Sequence, residues 1–362
     1  MNTPLNFTYQ ALPMRVALGA SALDRLADEI DHAGLKRVMV LCSPGQRELA
    51  ALVAGLIGPR AVDIHPHARM HVPAESAAEA QRRAKEVNAD GCVAVGGGSA
   101  IGLGKIVALR YGLPVIAVPT TYAGSEMTPV WGLTENGVKR TGCDPRVLPV
   151  SVLYDPALTV TLPAAVSVTS GMNAIAHAVE ALYAPDASPV IDLMAEEGVR
   201  ALASALPDLV ADGADLDARA RAQYGAWLCG ACLGATTMSL HHKLCHALGG
   251  TLDLPHAPTH TVVLPHALAY NQNAAPKAVA ALGRALGTSA DPATYLWDLA
   301  GRLGAPRSLR ELGMAENDID RIVQAALANP YANPREVTEE GLGRLLHAAW
   351  AGRPPTSATP TA

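Results

Sequence analysis

Apolar residues in the first half of the chain fall into short, almost unbroken runs: Met14 to Gly19, Arg37 to Ser43, Cys92 to Val95 and Pro114 to Pro119, with Asp63-Ile64-His65 a weaker one. Runs of that length read as strands. The stretches between them, Ser21 to Ala33 behind a serine cap, Gln46 to Ile57 after a Pro44-Gly45 turn, and Ala74 to Ala89, repeat their apolar positions at helical spacing. Fully apolar strands alternating with helices predict a parallel sheet covered on both faces. Trp131–Thr134 and Val138–Thr141, either side of Glu135-Asn136-Gly137, predict a hairpin. Beyond Asp155-Pro156 and Leu162-Pro163 strand signals become scarce and helical patterning takes over. It is predicted to open at a cap over Val168 to Gly171. Further helices are predicted over Ala187–Leu206, Leu216–Gly234, Ala278–Leu286, Pro292–Leu303, Glu316–Ala328 and Thr338–Trp350.

The pattern predicts an α/β domain over 1–158, an all-helical domain over 159–352 and a disordered Pro/Ser/Thr/Ala-rich tail over 353–362. A length of 362 residues and 49% apolar content agree with two cores. A net charge of −5 and an aromatic fraction of 4%, with Phe7 the sole phenylalanine, argue against a nucleic-acid partner. No apolar run approaches the roughly 18 residues of a membrane span, and Met1 to Val16 lacks a basic region followed by an apolar one. A soluble cytoplasmic protein with no membrane partner is expected. The six cysteines are scattered, and the Cys229-x-x-Cys232 pair sits among small apolar residues, which reads as helix packing rather than metal or redox chemistry.

Two stretches carry candidate chemistry. Gly91 to Lys105 joins a buried strand to Gly96-Gly97-Gly98-Ser99 and then to a helix predicted to begin near Ile101. Glycines there let backbone approach closely, and a helix N-terminus offers free N–H groups to a phosphate. The signal departs from the G-x-G-x-x-G fingerprint, so a plain tight turn stays open beside a Rossmann-like pyrophosphate site. Thr120-Thr121 follow the next strand and are placed in the same crevice. The second stretch, Ser239 to His266, holds His241, His242, His246, His256, His260 and His266, six of the twelve histidines. His242 and His246 share a helix face, Gly249-Gly250 offers a break, and Pro255-His256 can fold back. Such a cluster can bind a divalent metal, move protons, or hold an anion; any one member can instead be a satisfied core residue.

The order of Gly96-Gly97-Gly98-Ser99, Pro119-Thr120-Thr121, Asp155-Pro156, Gly171 to Tyr183 (GMNAIAHAVEALY), His242-x3-His246 and Pro255-His256 resembles the group III, iron-containing alcohol dehydrogenases over nearly the whole chain. The resemblance implies an N-terminal nucleotide-binding domain for NADH or NADPH, a helical catalytic domain of the architecture shared with dehydroquinate synthases, and a homodimer. The family's metal ligands fall on Asn173, His177, His242 and His256, where the first is an amide in place of a carboxylate. Losing that charge weakens a site for Fe²⁺ or Zn²⁺, so no catalytic metal is expected.

The strings TYAGSEMTP at 121–129, WGLTENGVKRTG at 131–142, SLHHKLCHALGG at 239–250 and NPYANPR at 329–335 look like the maleylacetate reductase branch of that family. That branch implies NAD(P)H-dependent reduction of the maleylacetate double bond to 3-oxoadipate, with chlorinated substrates also taken, in aromatic degradation. The substrate is a dianionic enone, so an oxyanion must be stabilised and a carbon protonated. Candidate catalytic residues are His177, His241, His242, Lys243, His246 and His256; Tyr122, Asn173 and Tyr331 are candidates for substrate binding. Lys243, next to a metal-ligand position, would repel an ion and attract a carboxylate. Ser43 aligns with the position where an acidic residue would exclude a 2′-phosphate, so both NADH and NADPH are expected to be accepted, with any preference under ~10³-fold or about 4 kcal/mol. The competing readings are a metal-dependent alcohol or aldehyde dehydrogenase, a lyase-type enzyme using NAD, and a non-catalytic nucleotide-binding module.

Overall fold

A computed structural model describes residues 7–12, 14–135 and 138–356. Six strands, β1 (Arg15–Leu18), β2 (Val38–Leu41), β3 (Ala61–His65), β4 (Gly91–Gly96), β5 (Val115–Pro119) and β8 (Ser151–Tyr154), form one sheet in the order β1-β8-β5-β4-β2-β3. Every pairing in it is parallel, with Val93 beside both Val40 and Ile116. The central strands β2, β4, β5 and β8 are buried at every position, which is why the first three read as continuous apolar runs, whereas the short β8, opening on Ser151, does not stand out as one. Helices α1 (Leu26–His32), α2 (Arg47–Ile57), α3 (Ala74–Glu86) and α4 (Gly98–Tyr111) connect them. One apolar layer, with Leu26, Val53 and Val93, covers one face of the sheet, and another, with Met39, Ala80 and Ile106, covers the other. Strands β6 (Val130–Glu135) and β7 (Val138–Cys143) form the antiparallel hairpin, whose turn residues Asn136 and Gly137 lie outside the described residues.

From Ala164 onward the described chain is helical: α5 (Ala164–Ala181), α6 (Pro189–Ala211), α7 (Leu216–Ala235), α8 (Leu240–Leu252), α9 (His256–Asn271), α10 (Pro276–Leu286), α11 (Pro292–Arg302), α12 (Ile319–Leu327) and α13 (Glu339–Ala351). Helix α5 is buried along nearly its whole length between α6, α7 and α9. Cys229 and Cys232 are packed inside α7, as the small apolar surroundings predicted, and all six cysteines are unpaired. No described helix is long and apolar enough to cross a membrane.

Four local expectations are corrected. Ser21 does not cap a helix: it adopts a left-handed φ of 58°, and the Leu23 N–H is instead satisfied by Asp155 Oδ2 at 3.2 Å. The helix after the glycine turn starts at Gly98 rather than near Ile101. Val168 to Gly171 lie inside α5, which opens after Pro163; the Thr169 and Ser170 hydroxyls, polar signals on a helix start, donate back to Ala165 O (2.9 Å) and Val166 O (2.7 Å). Helix α8 runs through Gly249-Gly250 and ends at Asp253, at a left-handed φ of 54°, with its N–H on Gly249 O at 3.1 Å. Residues 353–356 of the expected tail are described, while 357–362 lie outside the described residues.

Candidate active site

The site begins at the carboxyl edge of the sheet, where β4 lies between β2 and β5. Gly96 has a φ of 141°, a conformation closed to L side chains, and a Cβ there would come within 2.4 Å of Gln46 Oε1. At Gly97 a Cβ would come within 2.9 Å of Thr121 Cγ2, whereas Gly98 faces open space. Helix α4 starts there with neither a side-chain cap nor an acidic residue in its first turn. Its N–H groups and positive dipole end at Gly98-Ser99 are therefore suited to an anion. Ser43 stands half-buried after β2, its carbonyl taken by the Gln46 N–H at 3.0 Å. Gln46, which sequence reasoning passed over, donates from Nε2 to Thr120 Oγ1 at 2.8 Å, and so ties the β2 and β5 loops together over Gly96.

The segment after β5 is a short strap from nucleotide edge to helices. The Thr120 N–H bonds Gly96 O at 3.1 Å and Thr121 packs on Gly97, while the carbonyl of Ala123, two residues on, lies 3.2 Å from His177 Nε2. Tyr122 between them is corrected as a substrate residue. Its side chain is fully buried, and its hydroxyl donates to Thr159 Oγ1 (3.1 Å) while accepting from Arg219 Nη1 (2.9 Å).

Three helices then converge. Asn173 and His177 are one turn apart on α5, as the four-residue spacing predicted, and both are buried. A carbonyl can only accept, so the Ala123 contact puts the His177 proton on Nε2. Its Nδ1 then accepts from His242 Nε2 at 2.9 Å, and His242 Nδ1 donates to Glu180 Oε2 at 2.7 Å. Burial, reinforced by neighbouring imidazoles, holds His177 well below the ordinary histidine range, in keeping with that neutral form. Glu180 was missed from sequence. Fully buried, it also accepts the backbone N–H groups of Ser239 (2.9 Å), His241 (2.7 Å) and His242 (3.3 Å), and so anchors the start of α8 from below. The one signal for it is its place three residues after His177, on the same helix face.

Behind His242, His241 Nε2 shares a hydrogen bond of 2.9 Å with His260 Nδ1, and Cys245 Sγ lies 3.8 Å from the same His241 nitrogen. Burial, then the adjacent imidazoles, depresses both His241 and His260 well below the ordinary range. Pro255-His256 does fold back: the His256 ring lies 4.3 Å from that of His260, and His256 and His246 are the exposed members of the group. Lys243 is half-buried with its Nζ 5.5 Å from the Tyr331 ring centroid; the Tyr331 hydroxyl is buried without a hydrogen-bond partner and is pushed up to about 12 by burial.

The positions that would hold a metal were tested against this geometry. Asn173 offers an amide, its Nδ2 3.4 Å from Ala123 O and its buried Oδ1 without a partner. His177 and His242 spend ring nitrogens on each other rather than on a shared point. Among the described residues, the one group of His, Cys, Asp and Glu whose ligand atoms gather within 4.8 Å is His241, Cys245 and His260, which shares no member with the four family positions. An amide beside two imidazoles whose facing ring nitrogens are spent on each other is a poor match for a catalytic divalent ion.

A glycine turn suited to an anion, strapped to an imidazole cluster on a helical half, fits a nicotinamide-dependent oxidoreductase. Comparison with known proteins agrees. The family "Iron-containing alcohol dehydrogenase" matches residues 13–156 and "Fe-containing alcohol dehydrogenase family, C-terminal" matches residues 167–350. The chain belongs to the iron-containing alcohol dehydrogenase family. It is 53% identical to the maleylacetate reductase of Sphingobium indicum over 98% of this chain and 100% of that one, and 55% identical to that of Burkholderia cepacia over 97% and 99%. A solved maleylacetate reductase from Agrobacterium tumefaciens superposes with a TM-score of 0.93 at 48% identity, covering 97% of this chain and 99% of that one.

Proposed function

We propose that this chain is a maleylacetate reductase that works without a metal. The observation that carries the reading is the rewired metal position: Asn173 brings no charge, while Glu180, His242 and His177 form one hydrogen-bonded line ending at the strap beside the nucleotide edge.

In the reaction a hydride from the reduced nicotinamide adds to the alkene carbon β to the ketone. The displaced electron pair runs to the ketone oxygen, and the resulting enolate takes a proton on the α carbon. His242 Nε2–H, held in orientation by Glu180, meets the developing oxyanion in exchange for His177, the role a metal would otherwise fill. The proton comes from His246 or His256, the imidazoles that face the opening. Lys243 and the Tyr331 hydroxyl take one substrate carboxylate, and the amide of Asn173 orients the other end. His241 supports His242 from behind. Gly96, Gly97, Gly98, Ser99, Thr120 and Thr121 cradle the pyrophosphate. With Ser43 in place of a carboxylate after β2, NADH and NADPH are both used.

The homodimer follows from the family resemblance, and the six unpaired cysteines favour a reducing compartment, the cytoplasm. Adding maleylacetate to purified protein with NADH tests the function. Substrate-dependent loss of the NADH absorbance, with no NADH formed from NAD⁺ and simple alcohols, is expected; the opposite pair of results would identify an alcohol dehydrogenase instead.

A further inference from the structure

We propose that His241, Cys245 and His260 form a second site, distinct from the family's metal position, that takes one borderline-soft divalent ion of the zinc class. His241 and Cys245 stand one turn apart on α8, and His260 projects from the second turn of α9, so three donors on two packed helices meet at one point. All three residues are buried, and their ligand atoms lie within 4.8 Å of one another.

Around a tetrahedral zinc ion, with bonds of about 2.0 Å to nitrogen and 2.3 Å to sulfur, ligand atoms stand roughly 3.3 to 3.7 Å apart. Cys245 Sγ and His241 Nε2 are already at 3.8 Å, and the 2.9 Å between His241 Nε2 and His260 Nδ1 needs only a small opening. The two outer nitrogens, His241 Nδ1 and His260 Nε2, are buried with no hydrogen-bond partner. They supply what binding requires. The single proton shared between the inner nitrogens moves to the vacant outer one, which leaves both inner nitrogens bare as neutral imidazole ligands. The thiol gives its proton to solvent and binds as thiolate, so the ion enters with the release of one proton and no change of oxidation state. Two imidazoles and a thiolate suit zinc or cobalt over magnesium or calcium.

The His241 and His260 rings lie 5.2 and 5.1 Å from the His242 ring, so an ion that fixes them also restrains His242. Inhibition of turnover by zinc follows, and that consequence alone rests on the proposed reductase activity.

The test uses the full-length protein, stripped with chelator and titrated with Co²⁺ in the absence of nicotinamide. A near-ultraviolet thiolate-to-cobalt charge-transfer band saturating at one equivalent and bleached by Zn²⁺ is expected. Cys245→Ser abolishes the band, whereas cobalt held at His177, His242 and His256 would show none in either protein. No band in the unaltered protein, or one that survives in Cys245→Ser, overturns the site. If that variant does not fold, His260→Gln decides: affinity for Co²⁺ weakened about tenfold or more supports the site, and unchanged affinity overturns it.

Discussion

Glu180 holds two elements at once: its oxygens take three backbone N–H groups at the start of α8 and the His242 ring beside them. With the Tyr183 hydroxyl at 3.5 Å it accepts from five donors, and removing so buried an acceptor leaves them unsatisfied. Glu180→Ala is therefore expected to cost about 2–4 kcal/mol in urea unfolding, and a loss under about 0.5 kcal/mol would contradict this placement. The roles proposed for Lys243 and His242 divide binding from chemistry. Lys243→Ala should raise KM for the dianion with kcat nearly kept, while His242→Ala should lower kcat with little change in the Kd for NADH. Steady-state kinetics with fluorescence titration of NADH separates the two; a common fall in both parameters for both variants would merge the roles. At this scale the sequence spoke unevenly. Asn173 and His177 were legible because four-residue spacing fixes a shared helix face. Glu180 was not, since the N–H groups that donate to it belong to the start of a helix about sixty residues later. Tyr122 was a candidate for substrate binding, yet its ring and hydroxyl are claimed by the core around Arg219.

At the scale of elements, α7 crosses just past the strap, where Gly230 meets Gly124. A Cβ on Gly230 would come within 2.4 Å of Gly124 O, and backbone cannot yield as a flexible side chain can. Gly230→Ala is expected to destabilise the protein by about 1–3 kcal/mol and to lower turnover, because Gly124 follows the Ala123 carbonyl that bonds His177. Thermal unfolding and turnover measured together check this; a variant stable and active to within error would show the crossing to be loose. The strands were readable because burial on both faces leaves no alternation to misread. Helix ends were less so. The hydroxyls of Thr169 and Ser170 bond backward inside α5, and α8 carries its two glycines as ordinary helix positions because Asp253 supplies the left-handed turn.

For the whole molecule, buried neutral imidazoles set the response to acid. Burial lowers His266 from 6.5 to about 4, and His177, His241 and His260 are displaced in the same direction. Below pH 6.5 the unfolded chain binds protons that the folded chain refuses, so stability is fully present above 6.5 and is lost as pH falls toward 4. Each such imidazole contributes a slope of up to about 1.4 kcal/mol per pH unit in that window. His266→Leu should flatten the dependence of urea-unfolding stability between pH 6.5 and 4 by about one such slope; a profile parallel to that of the unaltered protein would show that His266 titrates freely. The division into a parallel sheet and a helical half was legible, since short continuous apolar runs mark the one and helical spacing the other. The meeting of the glycine turn with the imidazole cluster needed the structure, because a strap of four residues, Thr120 to Ala123, makes that connection.

The proposed reduction of maleylacetate relies on imidazoles at positions where the family resemblance implies an ion. Its most direct test is turnover of maleylacetate with NADH by protein whose iron and zinc have been removed by chelation and whose metal content is measured in the same sample. Full turnover at a metal content far below one ion per chain is the predicted result. Activity that vanishes with the metal and returns on adding Fe²⁺ or Zn²⁺ would contradict it.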